Sequence, residues 1–335
     1  MRRIIASSDP ALHARVISST PLLYRAGANM SLDRPAHVRA GSGLARIGNY
    51  FAVAQDDANF IALIDCESGE VSAIALPAGV AGRRQFDDRR GNKRFKMDLE
   101  SCALVSHAAD DWLVAFGSGA SPSRERIAVL SDWTCGSPRV EIYDVSALYA
   151  ALRATEEFSG SEMNIEGAVF VDGCIRLYGR GNGAARDGLV PLDATCDLDW
   201  TELCAHLSNP STPPPVPMNI IQYDLGTFDG LRLGFTDAAI NSRGGVFFSA
   251  AAENSPDATH DGWVAGSALG VFGSSGEVRW AVLQDTAGDR FKGKVEGLVF
   301  ARELPYRAFV VLDQDDPSTP SKLCEIELSG KWYDD

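Results

Sequence analysis

Five stretches of this chain resemble one another closely enough to dictate a repeating architecture. They read Ser42-Gly43-Leu44, Glu100-Ser101-Cys102-Ala103, Glu166-Gly167-Ala168-Val169, Asp237-Ala238-Ala239-Ile240 and Glu296-Gly297-Leu298-Val299. Each opens a short apolar strand. Each is followed by a second apolar run that ends in small or polar residues, at 52–57, 114–121, 177–182, 248–254 and 310–316. The starts at 42, 100, 166, 237 and 296 are 58, 66, 71 and 59 residues apart. A recurring unit of this size, built of short strands, predicts a radial β architecture. The expectation is an all-β fold, a single β-propeller of five or six blades over residues 1–335. A sixth, degenerate blade has room in residues 1–41 together with one of the longer repeats.

The first repeat reads as strands at 44–47, 50–55, 60–65 and 71–76, with Glu67-Ser68-Gly69-Glu70 as a tight hairpin signal. The second reads as strands at 102–106, 112–117, 126–130 and 139–144. The last offers only three, at 297–301, 307–313 and 322–328. A strand from the N-terminus, around His13 to Ser18, is expected to supply the fourth and close the ring. Two short helices are predicted. Ser146 caps one containing Leu148, Tyr149 and Leu152; Asp199 caps another containing Trp200, Leu203 and Leu207. Five prolines between Pro210 and Pro217 predict an extended insertion over 208–218 within the longest repeat, not a domain boundary.

No shift in composition divides the 335 residues, and a hydrophobic content of 45% is ample for a core. The net charge of −14 argues against a nucleic-acid partner, which calls for a basic footprint. One basic segment stands out: Arg83, Arg84, Arg89, Arg90, Lys93, Arg94 and Lys96, diluted by Asp87 and Asp88. It reads either as a solvated surface loop or as a basic rim beside the carboxylates described next. No segment is apolar enough over a membrane-spanning length, and the N-terminus lacks the apolar core of a signal peptide. Seven cysteines, an odd number without a Cys-x-x-Cys pair, predict free buried thiols in a reducing cytoplasm.

Four of the five repeats begin with a carboxylate. If the repeats are related by rotation, Glu100, Glu166, Asp237 and Glu296 converge on the axis. Unpaired carboxylates at such range repel strongly and require a cation, protons or donors. A divalent cation fits oxygen ligands drawn from several segments, and Ca²⁺ tolerates irregular geometry best. Asn164, Asn182, Asp56, Asp57 and Asp315 are candidates for further oxygen ligands. The competing reading has each carboxylate accepting backbone hydrogen bonds from the next blade, with Lys96 and Lys294 neutralising the charge. Arg180, in Gly179-Arg180-Gly181-Asn182-Gly183, and Asn182 are candidates for binding an anionic substrate, or else mark a plain Gly-rich turn. The loop from Gly117 to Arg124 is either a backbone nest for an anion or a hairpin. His107 and His260 lie on loops near repeat strands and are left out of the site. The chain has no Gly-x-Ser-x-Gly elbow, Walker loop, Gly-x-Gly-x-x-Gly or His-x-x-x-His pair.

Asn164-Ile165-Glu166-Gly167-Ala168-Val169-Phe170, followed by Arg180-Gly181-Asn182, resembles bacterial phytase-like, or esterase-like, β-propeller proteins. More distantly, Glu166-Gly167-Ala168-Val169 resembles the Glu-Gly-Pro-Val opening of the gluconolactonase/senescence-marker propellers, although Ala168 stands where that family has Pro. The second resemblance implies a metal-binding role for Glu166. Such propellers include hydrolases, lyases and binding scaffolds. The functional expectation is therefore a metal-dependent hydrolase of a small anionic ester, lactone or phosphoester at the channel. Glu100, Glu166, Asp237 and Glu296 would hold the cation, Arg180 would steady the substrate, and no general base is singled out. The alternative is a non-catalytic propeller that binds a ligand or a protein partner, its channel carboxylates being structural.

Overall fold

The computed structural model describes residues 2–107, 110–133, 137–255 and 262–333. The described residues form five antiparallel units. The first pairs Gly41–Ile47, Tyr50–Gln55, Phe60–Asp65 and Val71–Ala75 in chain order, and the second Leu99–His107, Asp110–Gly117, Arg126–Ser131 and Arg139–Asp144. The third pairs Ile165–Val171, Cys174–Gly179, Asp193–Asp199 and Met218–Asp224. The fourth is Leu231–Ile240, Val246–Glu253, Val264–Phe272 and Val278–Gln284; the fifth begins Lys294–Phe300, Arg307–Asp313 and Lys322–Gly330. The first strands of the units neighbour one another in sequence order, and the fifth returns to the first. This closed ring of inner strands is a β-propeller.

The N-terminus closes the ring, as the three-stranded last repeat predicts. Leu12–Pro21 pairs antiparallel with Lys322–Gly330 as the missing fourth strand. On the way, Arg2–Ile5 runs parallel to Met218–Asp224, and Ser7–Ser8 runs parallel to Val278–Gln284. Residues 2–21 thus tie together the outer edges of three units.

Both predicted helices are present, at Ser146–Ala154 and Trp200–Ser208. Asp199 caps the second by accepting from the Glu202 amide, as expected. Ser146 does not cap the first. It is already helical, and Asp144 Oδ1 accepts from its amide at 3.2 Å. Each helix buries its apolar stripe: Leu148, Tyr149 and Leu152 in one; Trp200, Leu203 and Leu207 in the other. Trp200 meets Trp112 and Phe170 edge-on, at 5.9 and 6.1 Å between ring centroids, so the second helix seals the seam between units two and three. The prolines occupy the extended link between that helix and Met218–Asp224. Among the described residues no helix is long and apolar enough to cross a membrane.

Every inner strand carries a bulge, and these bulges set the geometry of the channel. The pairing register slips between Gly41 and Leu44, Leu99 and Ser101, Ile165 and Gly167, Phe235 and Asp237, and Val295 and Gly297. A bulge adds one unpaired residue and re-aims its side chain. Glu100, Glu166 and Glu296 occupy that extra position. In unit four the position belongs to Thr236, so Asp237 falls one residue out of step with the glutamates.

Candidate functional site

The bulges bring Glu100, Glu166 and Glu296 to one end of the channel, where the second strands of the units also end. Two cation-centred clusters form there. In the first, Lys96 Nζ lies 2.8 Å from Asp56, 3.1 Å from Asp57 and 2.6 Å from Asp98. Asp98 also meets Arg124 at 2.8 Å and accepts from the Ser118 hydroxyl. Asp56, Asp98 and Glu100 each present an oxygen within 4.8 Å of the other two. Glu100 is partly buried, and among the described residues its carboxylate has no hydrogen-bond partner. Burial, with Asp56, Asp98 and Glu166 nearby, pushes its pKa well up despite Lys96. Burial and Asp57 push Asp56 up to about 6 against the pull of Lys96.

In the second cluster, Arg180 is 4% exposed and meets three carboxylates: Glu253 at 2.7 Å, Glu166 at 3.3 Å and Glu296 at 3.9 Å. Lys294 lies between Glu296, at 3.4 Å, and Asp315, at 3.2 Å. Asn164 Nδ2 donates to Glu166 at 2.6 Å and to Asn182 at 3.4 Å. Burial raises Glu166 to about 7, against the pull of Arg180 and Lys294. Burial works against the charge on Arg180, yet Glu166, Glu253 and Glu296 together hold its pKa well above the usual value. Arg180 is thus held inside the protein by its two terminal nitrogens, which face these carboxylates, while its Nε has no hydrogen-bond partner among the described residues.

Asp237 lies elsewhere. Its carboxylate accepts the Leu298 amide at 2.7 Å and is fully buried. The amides of Ala238 and Leu44 also favour its charged form, but burial dominates and lifts its pKa well up. From unit four it reaches units five and one, crossing the axis. Its place in the repeat is held by Gly43, Ser101, Gly167 and Gly297 in the other units. At Gly43 and Gly297 an added Cβ would come within 2.7 and 2.4 Å of neighbouring backbone. This is the backbone-bonded arrangement of the competing reading, realised at one carboxylate.

Sequence reasoning missed Asp98, Glu253 and Arg124. A signal for Asp98 was present: the residue two before each bulge glutamate is polar, namely Asp98, Asn164 and Lys294. The basic segment proves mixed. Lys96 is buried among the carboxylates, while Arg90 pairs with Asp33 and Asp87, and Arg89 with Asp316. The Gly117–Arg124 loop spends its polar groups internally: the Gly117 carbonyl accepts the Tyr149 hydroxyl at 2.6 Å, and Ser118 Oγ donates to Asp98. His260 lies outside the described residues, as does Cys135. The other six cysteines are unpaired.

Several solved structures are similar in overall arrangement. Glutaminyl cyclase from Myxococcus xanthus is 11% identical, with 98% of each chain covered and a TM-score of 0.47. The PQQ-bound aldose sugar dehydrogenase from Streptomyces coelicolor is 12% identical over 96% of this chain and 100% of that one, with a TM-score of 0.43. Regucalcin from Agrobacterium tumefaciens, a calcium-binding protein, is 10% identical over 99% and 98%, with a TM-score of 0.38. No curated protein matches the sequence. The model of a family of unknown function, DUF6929, matches residues 37–328, and the chain belongs to that family.

Proposed function

We propose that the carboxylate end of the channel is a divalent-cation site and that the protein uses it to hydrolyse a small ester, lactone or phosphoester. The observation that carries this reading is the triad Asp56, Asp98 and Glu100, three hard oxygen donors within 4.8 Å of one another. Such a donor set suits Ca²⁺ before softer metals. The proposed ligand set thus keeps Glu100, replaces Asp237 with Asp98 and Asp56, and leaves Glu166 and Glu296 as the neighbouring wall. A bound cation would polarise an ester or phosphoryl oxygen and lower the pKa of water. Arg180 would hold Glu166, Glu253 and Glu296 in place. Unpaired thiols fit a reducing compartment.

A second reading rests on Lys96. Its ammonium already touches Asp56, Asp57 and Asp98, and so supplies the positive charge without metal. The protein would then be a binding propeller with a structural salt-bridge core. Thermal unfolding separates the two. After EDTA treatment, Ca²⁺, Mg²⁺ or Mn²⁺ at a hundred times its Kd should stabilise the folded state by about 2.7 kcal/mol. Glu100→Gln should abolish the rise. Lys96→Met removes the competing cation and should tighten Ca²⁺ binding. Absence of any cation effect in both wild type and Lys96→Met sinks the hydrolase reading and leaves the scaffold.

A further inference from the structure

The opposite end of the channel differs in chemistry from the carboxylate end. Beyond Asp237 the inner strands surround a cavity of about 260 Å³. One layer of its lining comes from equivalent positions of the five units: Arg46, Leu104, Phe170, Ile240 and Phe300. Leu104, Phe170 and Ile240 line it and are half-buried, and Arg302 joins Arg46 in the lining. The two arginines are the only charged residues of the described lining. Neither has a carboxylate within ion-pairing distance among the described residues. Arg46 donates to the Gly48 carbonyl at 3.3 Å and lies over the Phe51 ring, and Arg302 is exposed.

In a protein of net charge −14, two unpaired guanidiniums at the mouth of an apolar cavity are unusual company. A cavity of this kind selects a ligand with an apolar body and an anionic end. The guanidinium fork matches a carboxylate in particular. Its volume is at the small end for ligand sites, which limits the apolar body to one short chain. We infer that this end of the channel binds a medium-chain aliphatic carboxylate, its tail among Leu104, Phe170, Ile240 and Phe300 and its head between Arg46 and Arg302. Asp237 separates this site from the carboxylate end, so the inference stands independently of the cation reading.

Calorimetric titration of the full chain with octanoate tests it. Saturable binding at one site is expected. Because each methylene buried is worth about fourfold in affinity, hexanoate should bind roughly fifteenfold more weakly. The double variant Arg46→Glu/Arg302→Glu, altered only at the rim, should weaken octanoate at least tenfold while leaving neutral 1-octanol unchanged. Glu100→Gln should leave octanoate binding as in wild type. No saturable binding overturns the inference. So does binding that is indifferent both to shortening the chain and to reversing the two rim charges, which would mark loose adsorption to apolar surface.

Discussion

Replacing Arg180 with methionine should destabilise the protein by about 3–5 kcal/mol at pH 8 and by much less at pH 5. Methionine keeps an unbranched apolar stem and removes the charge. Glu166, Glu253 and Glu296 would then share a buried space without the guanidinium that now faces all three, while Lys294 stays beside Glu296. The pH dependence follows from the sign of the shift. Burial already lifts Glu166 to about 7 in the folded state, from 4.5 for the free group, while Arg180 pulls it down. Without Arg180 the folded pKa rises further. A group whose folded pKa is raised favours the folded state below the unfolded pKa, and that advantage fades as pH climbs through the folded one. The variant should therefore recover as carboxylates protonate, and its gap to wild type should widen from pH 5 to pH 8. Urea unfolding at both values measures it. Adding Glu166→Gln and Glu253→Gln to Arg180→Met should restore much of the loss at pH 8 by removing the stranded charges. An Arg180→Met loss that is independent of pH and not relieved by the glutamines would mean that packing, not charge, explains the cluster.

The repeat frame was legible because each unit spends its apolar residues the same way, in an inner strand followed by a second strand about ten residues on. The closing N-terminal strand was legible for a related reason: a last repeat with three strands leaves an edge that a closed ring must cover. What the sequence hid was register. Asp237-Ala238-Ala239-Ile240 matches Glu166-Gly167-Ala168-Val169 residue for residue in type, acid, small, small, apolar. The apolar residue before each bulge gives the true frame: Leu99, Ile165, Phe235 and Val295. Aligning on these places Thr236 with the glutamates and Asp237 with Ser101, Gly167 and Gly297. The partners of Arg180 were hidden by distance. Glu253 lies 73 residues further along the chain, and no local pattern ties it to a particular arginine. Lys96 and Lys294 were legible because each precedes a bulge glutamate by a few residues, which keeps it at the same end of the channel.

Asp237 is where the frame error has the largest physical consequence, because a residue on the axis acts on several units at once. Asp237→Ala should cost about 2–4 kcal/mol, since the Leu298 amide loses its acceptor in a space closed to water. Asp237→Asn keeps an acceptor of the same shape and should lose less. The two differ in pH response from wild type as well. Burial lifts the Asp237 pKa well above its free value of 3.8, although the amides of Leu298, Ala238 and Leu44 oppose this. The folded state thus holds a proton that the unfolded state releases, and wild type loses stability as pH rises above about 4 toward the folded pKa. Asparagine has no proton to lose, so Asp237→Asn should gain on wild type as pH rises from 5 to 8. Asp237→Ala should show the same relative gain from a lower starting point. If Asp237 were instead a cation ligand, both variants would forfeit the Ca²⁺-dependent rise in Tm. On the geometry described, both should keep it, because Asp56, Asp98 and Glu100 stand at the end of the channel and Asp237 is bonded to backbone at its centre. Equal losses in the two variants, or loss of the Ca²⁺ effect in either, would contradict the assignment of Asp237 as the clamp between inner strands.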